Sequence, residues 1–281
     1  MPVTYPVPFA EPSYLCGLPS PYFQKTHLEF QKRCRAWFEE HFIPFALEWE
    51  TEGTVPPHVW DIFNKYNMLI PNLKSPLPVE WLKRLNISHI LLVPVEDWDS
   101  LHTAVWVDER ARTGISGPGS SLSPGFAYGI PPILSFGSKA LQERFLPELL
   151  TGKARTCIAI TEPHAGSDVA NVQTTAKKQG NHYIVNGEKK WITNGIWAKY
   201  APMVVRTGGP GAGGLSMLVV DLEAPGVSRR RLDVQGQRAG GTTYIELDNV
   251  KVPAENLVGE EGRGMIYTMT NFNWERLLIS E

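Results

Sequence analysis

Residues 181–195 read Asn-His-Tyr-Ile-Val-Asn-Gly-Glu-Lys-Lys-Trp-Ile-Thr-Asn-Gly, and their pattern decides the fold class. Asn186-Gly187 is the dipeptide that favours a two-residue hairpin turn, because both residues tolerate positive φ. It leads into a strand whose alternate residues Trp191 and Thr193 share one face. Outward from this stretch, a period of two holds on both sides. Residues 156–161, 183–185, 203–206, 215–220 and 242–247 read as short strands separated by turn signals. Their spacing predicts an antiparallel barrel or sandwich over residues 154–262. Gly208-Gly-Pro-Gly-Ala-Gly-Gly214 lies between two of these strands and reads as a hairpin tip. A phosphate-binding glycine loop would need a helix after it, and here a strand follows.

Upstream the period changes to that of a helix. Phe30, Cys34, Trp37, Phe38, Phe42 and Phe45 recur at three- and four-residue steps, and Pro44 should kink or end that helix. Val59, Ile62, Phe63 and Tyr66 predict a second helix, with Pro56-Pro57 at its start. Residues 101–113 and 139–150 predict two more. Between them lies a stretch rich in turn formers that ends apolar. Residues 71–100 read as a long surface excursion with one short helix or strand. The first 20 residues hold five prolines, so residues 1–23 are expected to form an extended arm. Six of the nine tryptophans precede residue 110, which points to an aromatic core there. Residues 264–281 return to a helical pattern. The order is helices, strands, helix, so the expected class is α+β. A helical domain over 24–153 precedes a β-domain over 154–262, and residues 263–281 begin a C-terminal helical domain.

Composition excludes several classes. The 281 residues are 42% hydrophobic and 20% charged, unlike a disordered chain, and the net charge of −2 supplies no field for nucleic acid. No apolar run is long enough for a membrane span. The N-terminus lacks the marks of a secretory or transit peptide. Cys16, Cys34 and Cys157 are odd in number and widely spaced, which argues against a disulfide framework and a zinc site and for a reducing compartment. The seven histidines show no metal spacing, and His164 reads as a solvated loop residue. The closing Arg-Leu-Leu-Ile-Ser-Glu carries no cap or glycine stop, so the chain is expected to end inside a helix.

Three stretches remain as carriers of chemistry. Thr161-Glu-Pro-His-Ala-Gly-Ser-Asp168 offers free amides and hydroxyls, which suit either an oxyanion or an ordinary loop between strands. Trp191 and Thr193 on one face suit a planar heteroaromatic ligand, with a core tryptophan as the alternative. Val252-Pro-Ala-Glu-Asn-Leu-Val-Gly259 leads through Glu260-Glu-Gly-Arg-Gly264 into the last helix. In this order and spacing the three stretches resemble the acyl-CoA dehydrogenase family of flavoproteins. The likeness is strong from Tyr128 onward, loose before residue 115 and absent over 71–100.

The resemblance implies a helical domain, a β-domain and a C-terminal four-helix bundle, most of which this chain does not include. It implies FAD. The loop 158–167, with Ile158, Ile160, Thr161, Gly166 and Ser167, would contact it. Thr161 would lie at the pyrimidine side, and Ser167 at the pyrophosphate and acyl-CoA. Trp191 would pack on the isoalloxazine with Ile192 beside it, and Thr193 would hydrogen-bond near N5. The implied reaction converts an acyl-CoA thioester to the 2,3-enoyl thioester. A carboxylate takes the α-proton while the β-hydrogen leaves as hydride. Some members, including isovaleryl-CoA dehydrogenases, place the base on the helix after the β-domain in a D-L-E-R-L pattern. Asn273-Trp274-Glu275-Arg276-Leu277 matches it with Asn and Trp replacing Asp and Leu. Glu275 is therefore the expected base, flanked at the acyl group by Asn273, Trp274 and Arg276. The alternative is a surface charge pair of Glu275 and Arg276. The implied partners are an electron-transfer flavoprotein and further copies of the chain, as a dimer or tetramer. Mitochondrion, peroxisome and cytoplasm are all compatible. A non-catalytic or partner-dependent family member and an oxidase that passes electrons to oxygen are the competing functions.

Overall fold

The apolar face read from Phe30 to Phe42 builds the first helix, α1 (Lys25–His41), which buries Phe30, Cys34, Trp37 and Phe38. Pro44 opens a short turn that ends this run, and the chain resumes in α2 (Ala46–Glu52). Phe45, expected on the buried face, is 43% exposed because the proline turn rotates it outward, where it stacks on Trp49. The computed structural model describes residues 11, 12 and 14–280. Residues 1–10 and 13 of the expected N-terminal arm lie outside the described residues, and the described part is not extended throughout, since residues 14–17 form a turn. Helix α3 (Pro57–Lys65) begins on the anticipated proline.

Residues 71–100 hold more structure than expected. They contain α4 (Val79–Arg84) and a small hairpin of β1 (His89–Ile90) and β2 (Val93–Pro94). The segment is not merely a surface excursion, since Leu77, Leu82, Ile87, Ile90, Val95 and Trp98 are buried in the helical core. Helix α5 (Ser100–Ala111) is capped by Asp99, whose carboxylate accepts from the amides of Leu101 and His102 at 3.0 Å. Asp99 also meets the rings of His27 and His102. The Gln24 amide donates to His27 Nδ1, which leaves the proton on Nε2 for Asp99, so this trio reads as a hydrogen-bonded cap.

The turn-rich stretch after α5 is helical. It forms α6 (Ser116–Leu122), a π-helical turn at Gly125–Gly129 and α7 (Ile130–Phe136), followed by α8 (Lys139–Leu150). Its glycines serve close packing. A Cβ on Gly125 would stand 2.7 Å from the Thr156 carbonyl oxygen, and one on Gly129 2.8 Å from Thr156 Cγ2.

The second layer is a six-stranded sheet. Its strands are β3 (Thr175–Gln179), β4 (His182–Ile192), β5 (Tyr200–Arg206), β6 (Leu215–Asp221), β7 (Val227–Arg231) and β8 (Thr243–Pro253), in the order β6-β5-β3-β4-β8-β7. The sheet is mixed, because β3 meets β5 parallel while its other pairings are antiparallel. Asn186-Gly187 makes no hairpin turn. The chain reverses at Gly180-Asn181, and Asn186-Gly187 sits inside β4 at a register shift against β8. A bulge uses the same backbone freedom as a turn, so the dipeptide alone does not separate them. The glycine run 208–214 does join β5 to β6, as expected of a hairpin tip. Residues 156–161 form no full strand. They lie beside β5 through bridges at Thr156 and Ala159. Helix α9 (Gly264–Ser280) then packs back across the helical layer, with Tyr267 stacked on Phe136. Among the described residues no helix is long and apolar enough to cross a membrane.

Candidate functional site

Where the sheet, α6 and α9 meet, a cavity of about 600 Å³ opens. Its sheet-side wall is Ile158, Ile160, Thr161, Trp191, Ile192 and Thr193. Its helical wall includes Arg110, Ser120, Ser123 and Tyr128, and α9 contributes Phe272, Glu275 and Ile279.

Trp191 reaches this wall through backbone geometry. The pairing of β4 with β8 shifts register between Lys189 and Ile192, and Trp191 within that bulge has φ 64°. A left-handed residue in a bulge re-aims its side chain. The indole is 53% exposed as a result. Trp191 and Thr193 do share a wall, but with Ile192 between them, so the bulge rather than strict alternation brings them together.

Behind the wall lies a buried ion pair. Lys189 Nζ donates to Glu162 Oε1 at 2.8 Å and to the carbonyls of Ile160 and Val204 at 3.0 and 2.7 Å. Glu162 also accepts from the amides of Gln173 and Thr174. Burial pushes the Glu162 carboxyl up, but the Lys189 charge and these bonds outweigh it and hold the group below its ordinary value. The Lys190 amide donates to the Thr161 carbonyl at 2.9 Å, so the loop carrying Ile160 and Thr161 is tied to β4 on both sides of its backbone.

Glu275 is half-buried on the cavity wall, and its Oε2 is shielded with no hydrogen-bond partner. Burial raises its pKa, against an opposing influence from Arg276. Tyr128 stands near it. Burial first, and the Glu275 charge second, push the Tyr128 phenol up to about 12. Its backbone carbonyl accepts from Asn271 Nδ2 at 3.1 Å, which joins α9 to the π-helical turn.

The structure thus gathers Ile158, Ile160, Thr161, Trp191, Ile192, Thr193 and Glu275 in one cavity. It does not bring the other expected residues there. Gly166 and Ser167 are exposed farther along the loop. Asn273 and Arg276 are exposed, and Trp274 is buried with its Nε1 donating to the Asn72 carbonyl at 3.1 Å. The helical pitch is the reason, since residues 272, 275 and 279 form one stripe and 273, 274 and 276 fall off it. His164 is exposed, as expected of a loop residue. Sequence reasoning missed Arg110, Tyr128, Phe272 and the Glu162–Lys189 pair. A signal existed for Arg110, which follows the apolar Trp106 by one helical turn and so sits on the inward phase of α5.

Comparison with known proteins agrees with this architecture. Residues 157–250 match the family described as acyl-CoA dehydrogenase, middle domain. The chain is 65% identical over 277 residues to acyl-CoA dehydrogenase apdG of Emericella nidulans, covering 98% of this chain and 63% of that protein. It is 35% identical to the mitochondrial long-chain specific acyl-CoA dehydrogenase of Mus musculus, covering 92% of this chain and 57% of the relative. The crystal structure of acyl-CoA dehydrogenase from Geobacillus kaustophilus superposes with a TM-score of 0.80 at 32% identity, over 93% of this chain and 65% of that one. The chain therefore spans under two thirds of the length of these relatives. In sequence motifs, in fold and in these likenesses alike, it belongs to the acyl-CoA dehydrogenase family.

Proposed function

We propose that the cavity takes FAD beside an acyl-CoA thioester, and that Glu275 removes the α-proton in 2,3-dehydrogenation of the acyl group. The observation that carries this reading is a half-buried carboxyl with an unpartnered oxygen, in the same cavity as an outward-facing indole. The wall fits a flavin. Trp191 supplies a flat apolar surface, Thr161 and Thr193 supply hydroxyls within it, and the Glu162–Lys189 pair fixes the loop that carries Thr161. Gly166 and Ser167, exposed beyond the cavity, are available to the outer parts of a dinucleotide. When bound, FAD accepts the β-hydrogen as hydride.

The chain supplies the rest. An α-proton beside a thioester is weakly acidic, so its removal needs a base of raised basicity in a dry site. Ile158, Ile160 and Phe272 give the cavity apolar surface, which lowers the polarity around a bound acyl group. Burial raises the Glu275 pKa, so its carboxylate gains basicity and its proton is held more firmly once taken. Because Glu275 must be ionised to act, activity should fall as pH drops through that raised pKa. Acceptance of electrons by an electron-transfer flavoprotein, and assembly with further copies of the chain, belong to the same proposal. Asn273, Trp274 and Arg276 have no part in acyl contact in this reading.

The test is exchange at the α-carbon. The FAD-loaded protein is mixed with acyl-CoA thioesters in deuterated water, and deuterium uptake is read by mass spectrometry. Glu275→Gln should lower the exchange rate by about 10²- to 10⁴-fold while FAD affinity, followed by absorbance, stays the same. Undiminished exchange in the variant would assign the proton transfer to another group. Peroxide formed under air would favour the oxidase function instead.

A further inference from the structure

Arg110 lies in the last turn of α5 and lines the cavity near Tyr128. Its guanidinium stands over the Trp106 ring at 4.8 Å and donates to Ser123 Oγ at 2.6 Å. Among the described residues no carboxylate comes within ion-pair distance of it. Burial lowers its pKa, yet a guanidinium remains charged at any working pH. The ring face and the C-terminal end of α5 each favour a cation, and both offset part of the desolvation cost. Neither uses the in-plane N–H groups, and Ser123 takes only one of them.

Glu275 is not the missing partner. Tyr128 feels both charges, whereas the one cation acting on Glu275 is Arg276. Arg110 and Glu275 border the same cavity without forming an ion pair among the described residues. The lining on either side of Arg110 in the chain mixes the hydroxyl residues Thr113, Ser116, Ser120 and Ser123 with the apolar Ala111, Ile115 and Pro124. A planar fork of donors, desolvated and with only one N–H taken by Ser123, matches a carboxylate, which accepts two parallel N–H bonds.

We propose that Arg110 selects the substrate: it pairs with a carboxylate at the far end of the acyl chain, so the cavity prefers dicarboxylic acyl thioesters to alkyl ones. This inference rests on the cavity being an acyl-CoA site, and the experiment separates failure of the two.

Glutaryl-CoA and valeryl-CoA differ chiefly in the terminal carboxylate. Their dissociation constants are measured by calorimetry on the FAD-loaded chain, with an independent titration of FAD itself. The wild type should bind glutaryl-CoA at least about tenfold more tightly than valeryl-CoA. Arg110→Met should erase that ratio by weakening glutaryl-CoA alone, Arg110→Lys should keep part of it, and FAD affinity should be the same in all three. Equal or tighter binding of valeryl-CoA by the wild type overturns the assignment without any variant, and so does an unchanged ratio in Arg110→Met. Loss of FAD affinity in a folded Arg110→Met would also overturn it, since the guanidinium would then serve the cofactor. If neither thioester binds the wild type, the acyl-CoA reading of the cavity fails and the selectivity falls with it. Should Arg110→Met not fold, the wild-type ratio and Arg110→Lys still decide.

Discussion

The helical layer and the sheet solve the same packing problem with different materials. The helical core is built from aromatic plates meeting edge to face, such as Trp37 on Phe63 at 4.7 Å and Phe38 on Trp106 at 5.9 Å. The sheet's own core is built from Val, Ala, Ile, Leu, Met and Cys157, and Tyr183 is its one aromatic among the described residues. Short helices that meet at many angles leave irregular gaps, which large flat rings fill. A pleated surface repeats at a fixed spacing and is filled by small and β-branched side chains. The cavity opens where neither filler continues. On the helical side the chain turns to glycine and serine, and on the sheet side a bulge sends Trp191 outward.

That contrast can be attacked in both layers. The largest loss is expected from Phe38→Ala, which removes a fully buried ring from the helical core and should cost about 3–5 kcal/mol in urea unfolding. Lys189→Met strikes the sheet through charge instead of volume. It strands the Glu162 carboxylate and should cost about 3 kcal/mol, whereas adding Glu162→Gln should recover part of that loss. The pH dependence has a definite sign. A carboxyl held below its ordinary value contributes its full stabilisation above that value and loses it as pH falls through the lowered pKa. Wild-type stability should therefore decline below about pH 4.5, and the decline should be shallower in Lys189→Met. Asp99→Ala removes the cap of α5 and should cost about 1 kcal/mol by the same unfolding measurement. Trp191→Ala should change stability by less than about 0.5 kcal/mol, because the indole is mostly outside the core. The same variant should weaken FAD binding in an absorbance titration. A large stability loss with unchanged FAD affinity would return Trp191 to the role of a core residue.

Regular elements were legible in the sequence and irregular ones were not. The apolar stripe of α1, the proline start of α3 and the bounds of α8 follow from periodicity and capping chemistry. The strands β4, β5, β6 and β8 were found in part, but β3 and β7 were not. Thr175–Gln179 and Val227–Arg231 are mostly polar and exposed, so no alternation marks them. The glycine-rich stretch before α7 reads as loop by propensity, yet tertiary packing makes it helical. Within the site, Trp191, Thr193 and Glu275 were visible through motifs. Asn273, Trp274 and Arg276 were grouped with Glu275 by adjacency in sequence, which a helix scatters over its circumference. Glu162 and Lys189 escaped because a buried charge pair is recognised only when both ends are seen to meet.

The two glycines of the π-helical turn carry one further consequence. Gly125 and Gly129 let that turn rest directly on Thr156, the first against its carbonyl oxygen and the second against its side-chain methyl. Tyr128 on one side of this seam and Ile158 on the other both border the cavity. The seam thus works like the pivot of a calliper, and the opening at the jaws is set by how closely the two glycines approach Thr156 there. A single methyl group at the pivot would alter the gauge of the whole aperture without changing any residue that lines it.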